Sequence, residues 1–246
     1  MMGTRIWLAG ATGAIGQRLI PLLVQGGATV FGTTRSAERA DLLGRKGVEP
    51  IVVDVFDGEE LTRKMVAAGP AVVIHQLTDL GLIHDPSRLE EALARNARLR
   101  TEGTRNLVAA AREAGARRMV AQSIAWVYAP GPEPHVEDDP LDVGAEGLTG
   151  VTVEGVVALE QAVLNAATLQ GVVLRYGWLY GPGTGTTVAA GVPPLHVDAA
   201  AQAAALAVER GTPGVYNIAE PSPFLSVERA RRELGWDPAP NRAQRS

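Results

Sequence analysis

The 246-residue chain contains no cysteine, which excludes disulfides, zinc–thiolate sites and thiol nucleophiles. Lysine is nearly as scarce: Lys46 and Lys64 are the only two. Aromatic residues make up 4% of the chain, and the aliphatic elements around the expected pocket give no sign of a dedicated sugar-stacking platform. A net charge of -4 without any Lys/Arg-rich run offers nucleic acid no electrostatic footprint. No uninterrupted apolar run reaches the roughly 18 residues needed to span a bilayer. The first residues also lack the basic and apolar segments of a leader peptide. The expectation is a cytoplasmic protein with no metal, no membrane contact and no nucleic-acid partner.

The residues that are present alternate short β-rich runs with longer helical patterns, the signature of βαβ units and a parallel sheet. Strands are expected at 5–9, 28–33, 50–54, 71–77, 117–122, 172–175 and 215–218. Helices are expected at 15–25, 37–46, 59–67, 87–114, 151–169, 198–210 and 227–234. Nearly continuous apolar runs such as Ala71-Val72-Val73-Ile74 suit strands covered on both faces. The fold class is α/β, a Rossmann-like doubly wound parallel sheet of about seven strands. Residues 1–176 are expected to form the dinucleotide-binding domain. Residues 177–246 would form a small, reduced C-terminal substrate lobe whose strand 215–218 returns to the main sheet.

The most informative segment is Gly10-Ala11-Thr12-Gly13-Ala14-Ile15-Gly16, which follows a strand and opens a helix. Free backbone N–H groups and the positive end of the helix dipole suit a phosphate there. Gly10 and Gly13 permit the tight turn and close backbone approach, and Gly16 lets helix and strand pack together. At the end of the second strand no acid lies between Ala28 and Ala37 to hold a ribose 2′-hydroxyl. Arg35, with Ser36 beside it, offers a fork for a 2′-phosphate instead, so NADP(H) is expected over NAD(H).

Taken in order, several landmarks resemble the extended short-chain dehydrogenase/reductase family of the NAD-dependent epimerase/dehydratase type. They are the Gly10–Gly16 turn, Asp54-Val55, Glu102-Gly103-Thr104-Arg105-Asn106-Leu107, and Val127-Tyr128. Further on come residues 174–183 (LRYGWLYGPG), His196-Val197-Asp198, and Arg231-Arg232-Glu233-Leu234-Gly235-Trp236. The resemblance implies that Asp54 and Val55 hold the adenine and that Leu77 and Thr78 line the path to the nicotinamide. It also places Tyr176, Gly177 and Trp178 near the nicotinamide ribose and carboxamide. Relatives often pair through two long helices, here 87–114 and 151–169, which would make a homodimer.

The chain departs from that family at its chemistry, which uses a Tyr and a Lys four residues later. The residues four past the tyrosines are Pro132, Tyr180, Thr184 and Glu220, so no such pair exists. Aligned by Glu160, the two positions fall on Thr152 and Val156. Substitute proton donors or substrate contacts are sought in Tyr128, Ser123 and the pair Asp79/His84, with solvent as a further donor. Glu154 points elsewhere on its helix, His75 reads as a satisfied core histidine, and Glu137-Asp138-Asp139 reads as a solvated surface run. The favoured function is an oxidoreductase acting on a small-molecule carbonyl or alcohol with a non-standard proton donor. The alternatives are a non-redox cyclase, isomerase or dehydratase on the same scaffold, or a non-catalytic dinucleotide sensor.

Overall fold

The computed structural model describes residues 1–83 and 85–238. Seven parallel strands form the main sheet: β1 (Arg5–Ala9), β2 (Thr29–Thr34), β3 (Glu49–Val52), β4 (Val72–His75), β5 (Arg118–Ile124), β6 (Gln170–Tyr176) and β9 (Gly214–Ile218). Their spatial order is β3-β2-β1-β4-β5-β6-β9. Chain order reverses between β1 and β4, and ligands bind at the carboxyl ends of strands flanking such a point.

Alternation along the strands builds two cores, one on each face of the sheet. Ile6 and Leu8 of β1, Val72 and Ile74 of β4, and Val172 and Leu174 of β6 enter one core. Trp7 and Ala9, Val73, and Val173 enter the other. Helix α1 (Ala14–Gln25), with Pro21 inside it, and helix α7 (Val197–Leu206) cover the first face. Helices α3 (Gly58–Ala68), α5 (Thr104–Glu113) and α6 (Gly147–Leu164) cover the second through Leu61, Met65, Leu107, Ala110, Leu159 and Val163. The short helix α2 (Ala37–Gly44) follows β2 and is capped by the Ser36 side chain, which accepts from the Arg39 amide.

Three elements differ from expectation. The expected helix 87–114 is a 3-10 turn (Pro86–Arg88), helix α4 (Leu89–Arg98), a π turn (Leu99–Gly103) and α5. That widened turn buries Leu99, Arg100 and Gly103, and such turns recur at functional sites. The side chains of α7 join the core under β1, β4 and β6, and β9 pairs with β6 along its whole length. Outside the main sheet lies the parallel pair β7 (Trp178–Tyr180) and β8 (Pro194–His196), which periodicity did not suggest. The expected helix 227–234 is largely a π turn (Ala230–Leu234) ended by Gly235 in the left-handed region.

By length and composition alone, α6 is long and apolar enough to cross a membrane. It is packed here against the sheet, burying Val153, Val156, Leu159 and Val163 and holding Glu160 in a buried ion pair.

Candidate dinucleotide and substrate site

The carboxyl ends of β1, β2 and β4 frame a cleft of about 560 Å³. The glycine turn forms its base, and the geometry shows why glycine stands there. Gly10 has φ +89°, and a Cβ on it would lie 2.5 Å from the Gln76 carbonyl oxygen. A Cβ on Gly16 would lie 2.2 Å from the Gly10 oxygen. Both are close approaches of backbone to backbone, which no side chain tolerates. Gly13 caps α1 without a side-chain bond, and the first-turn amides of Ala14, Ile15 and Gly16 have no acceptor among the described residues. The loop after β7 closes over this end, since a Cβ on Gly183 would lie 3.5 Å from that of Ala14.

Among the expected cofactor residues, Gly10, Thr12, Gly13, Arg35, Ser36, Asp54, Val55, Leu77 and Thr78 all line this cleft, as does Asp79. Ile15 and Gly16 are buried behind it. The Asp54 carboxylate accepts from the Phe56 amide at 3.0 Å, while Asp57 caps α3. Tyr176 is buried beneath the site, with its hydroxyl accepting from Gln76 Nε2 and its ionisation pushed up by burial. His84 lies outside the described residues.

Among the residues of this cleft that sequence reasoning missed are Arg39, Phe56, Gln76 and Arg95. Arg39 lies one helical turn beyond Arg35, a spacing readable in the sequence. Phe56 carries the Arg98 guanidinium 4.0 Å above its ring and shapes the rim beside Asp54. Gln76 has no sequence signal. It is buried, its Oε1 has no hydrogen-bond partner among the described residues, and it borders the cleft at the end of β4. A buried unpaired acceptor is costly unless a ligand donor meets it. The cradle that a Cβ would fill, the unclaimed amides and this orphan oxygen together fit a dinucleotide.

Of the candidate proton donors, Asp79 lines the cleft, while Ser123 and Tyr128 lie in a buried network joining β5, β6, β9 and α6. Arg175 donates from Nε to Glu160 Oε1 (2.9 Å) and from Nη2 to Oε2 (2.7 Å). Ser123 donates to the same carboxylate at 2.8 Å. Tyr128 donates to Asn217 Oδ1 at 2.6 Å and accepts from Arg175 Nη1 at 2.8 Å. Both hydroxyls are buried, engaged and absent from the lining of the cleft. Burial pushes the Tyr128 ionisation up, against the pull of Arg175. Burial also works to lower the Arg175 ionisation, and the Glu160 pair outweighs it, holding the guanidinium charged.

The acidic run 137–139 is not a solvated surface run as expected. Glu137 is buried, accepts from the Asn217 amide, and is raised in pKa by that burial. Asp139 is partly exposed and accepts from His135, and Asp138 is the most open of the three.

His75 is the satisfied core residue expected from its strand position. Its Nδ1 accepts from the Leu77 amide, so Nε2 carries the proton toward Thr104 Oγ1 at 3.0 Å. Burial, aided by Arg100, lowers its pKa to about 4. Arg100 is itself buried without a side-chain hydrogen bond or ion pair among the described residues. Desolvation lowers its pKa to about 10, with Glu160 opposing that shift.

Where the resemblance expected a Tyr and a Lys, the surroundings are apolar. Thr152 donates to the Leu148 carbonyl, and Val156 is buried with Ile124, Val127 and Val153. Trp126 packs on this cluster and stacks on Trp178, with ring centroids 4.1 Å apart and planes 17° from parallel. The low aromatic content had suggested no such platform. Two of the four tryptophans nevertheless meet at the sheet's carboxyl edge.

A doubly wound sheet with a glycine turn at its switch point and a fitted cleft defines a nicotinamide-dinucleotide-binding protein of the short-chain dehydrogenase/reductase type. The chain belongs to the NAD(P)H-binding family, whose model matches residues 10–207. It is 44% identical over 245 residues to a 3-diazoavenalumate denitrifying reductase from a Streptomyces species, covering 91% of this chain and 78% of that protein. Its fold is similar to UDP-glucose 4-epimerase from Thermotoga maritima, solved with UDP-glucose, at TM-score 0.78, 18% identity, and 97% and 94% coverage. It is equally similar to Gre2 from Candida albicans, solved with NADPH, at TM-score 0.78, 15% identity, and 98% and 96% coverage.

Proposed function

We propose that this chain is an NADP(H)-dependent reductase whose hydride acceptor needs no proton from the protein. The observation that carries the reading is that the two relay positions hold Thr152, whose hydroxyl donates to the Leu148 carbonyl, and Val156, which is buried in an apolar cluster. The nearby hydroxyls of Ser123 and Tyr128 are already consumed by Glu160, Arg175 and Asn217. A carbonyl acceptor develops an alkoxide that must be protonated, and nothing in this cluster would do that.

The name of the Streptomyces relative supplies an acceptor class that fits: a diazo compound that loses nitrogen. When bound, the reduced nicotinamide supplies a hydride that forms a C–H bond as the C–N bond to dinitrogen breaks, the diazonium charge ending on the oxidised cofactor with no proton consumed. The residues of the chain then have four tasks. The glycine turn and first-turn amides of α1 hold the pyrophosphate, Asp54, Val55 and Phe56 flank the adenine, and Gln76 Oε1 accepts a donor from the dinucleotide. The apolar cluster keeps water from a reactive acceptor.

Arg35 and Arg39 support the preference for NADP(H), because both line the cleft beside Ser36 and can clasp a 2′-phosphate. Removing a charge-assisted bond of this kind costs about 1.5–3 kcal/mol. Arg35→Ala is therefore expected to weaken NADPH binding roughly ten- to hundredfold and leave NADH binding nearly unchanged, as read by calorimetry. Equal losses for both cofactors would remove the arginine from 2′-phosphate recognition. The activity itself is tested by supplying an arene diazonium salt anaerobically with NADPH. One dinitrogen released per NADPH oxidised supports the reading, and NADPH-independent nitrogen release overturns it.

A further inference from the structure

We propose that the Trp126–Trp178 pair is the substrate platform, and that the group it takes is a flat aromatic ring. The inference deepens the reductase reading and rests on it: the acceptor carbon belongs to an arene. Ile124 and Tyr176 are register partners at the ends of β5 and β6. Two residues beyond each stands a tryptophan, and the two indoles meet across the strand ends in a near-parallel stack. Trp178 nonetheless leaves 43% of its surface open. It is held in place as well as exposed, because its amide donates to the Pro193 carbonyl at 2.7 Å and Gly191 lies against its ring.

Exposing a fixed indole wastes burial unless a ligand covers it, and its face prefers another π system in offset stacking. A sugar ring would also lie on tryptophan, but its hydroxyls need partners. The neighbouring cluster of Ile124, Val127, Val153 and Val156 provides only methyl groups, so those hydroxyls would be buried unpaired. An arene loses nothing in the same surroundings. Val156, at one of the two relay positions, belongs to this same apolar cluster.

Binding is read without turnover, so the result stands apart from the reductase reading. Calorimetry on the NADP⁺-loaded protein would compare 2-naphthoate, cyclohexanecarboxylate and UDP-glucose. The expected order is saturable 2-naphthoate binding, with the saturated acid and the nucleotide sugar weaker by about tenfold or more. Trp178→Leu should weaken 2-naphthoate by about tenfold, and Trp178→Phe should restore most of that loss. Equal binding of aromatic and saturated acids, preference for UDP-glucose, or unchanged affinity in Trp178→Leu would overturn the platform. So would a change of oligomeric state in Trp178→Leu, which would mark the indole as an interface residue. If 2-naphthoate binds as expected but no arene diazonium is reduced, the platform stands and the reductase reading fails.

Discussion

Gly10→Ala is expected to lower both the melting temperature and the affinity for dinucleotide, whereas Gly13→Ala should lower affinity alone. At Gly10 the backbone is left-handed, and the new methyl would sit 2.5 Å from the Gln76 carbonyl at the end of β4. The strain and the forced separation of β1 from β4 together cost about 3 kcal/mol or more. For a domain of this size that is a drop of roughly 6–12 °C. At Gly13 the backbone has φ -77°, open to any residue, and the nearest atom to a new Cβ is the Gly10 oxygen at 3.3 Å. That methyl would instead project where the pyrophosphate lies, raising Kd by roughly a hundredfold with little change in melting. Thermal melts beside calorimetric titration with NADPH check both. Equal melting losses in the two variants would mean that the turn is built for packing alone.

Glu160→Ala should be among the most destabilising single changes in the protein. The carboxylate receives two bonds from Arg175 and one from Ser123 in a site where both charges are buried. Removing it strands the guanidinium without its counter-charge, which costs about 3–5 kcal/mol, or roughly 6–20 °C in melting temperature. Arg175 also holds Tyr128, which holds Asn217 on β9. The loss should therefore spread to the strand ends that present Trp126 and Trp178. Ser123→Ala removes one neutral donor to the same carboxylate and should cost only about 1 kcal/mol. A Glu160→Ala melting loss no larger than that of Ser123→Ala would show that the ion pair is not what fixes this edge.

The parts of this molecule written in local patterns were readable from the chain. All seven main-sheet strands fall within two residues of where apolar runs placed them, and the turn after β1 is the close backbone approach its glycines implied, since Gly10 and Gly16 leave no room for a Cβ. What local pattern could not carry was the partner of each polar side chain. Ser123 and Tyr128 sit at positions from which they could face a substrate, yet long-range pairing with Glu160 and Asn217 turns both inward. Glu137 looked solvated inside an acidic run until β9 brought an amide to it. Trp126 and Trp178 are 52 residues apart in sequence, and only the register of β5 on β6 brings them together. The π turn at Leu99–Gly103 has no periodicity signal, because one added residue in a long helix leaves its apolar stripe nearly intact.

In the proposed reaction, reduction proceeds by hydride transfer without a proton delivered by the protein. Running the reaction with NADPH deuterated at the transferred position, and separately with protiated NADPH in D₂O, tests this directly on the reduced arene by mass spectrometry. The expected product carries one deuterium from the cofactor and none from solvent. A product that takes its new hydrogen from D₂O, or that forms unlabelled with deuterated cofactor, would contradict it.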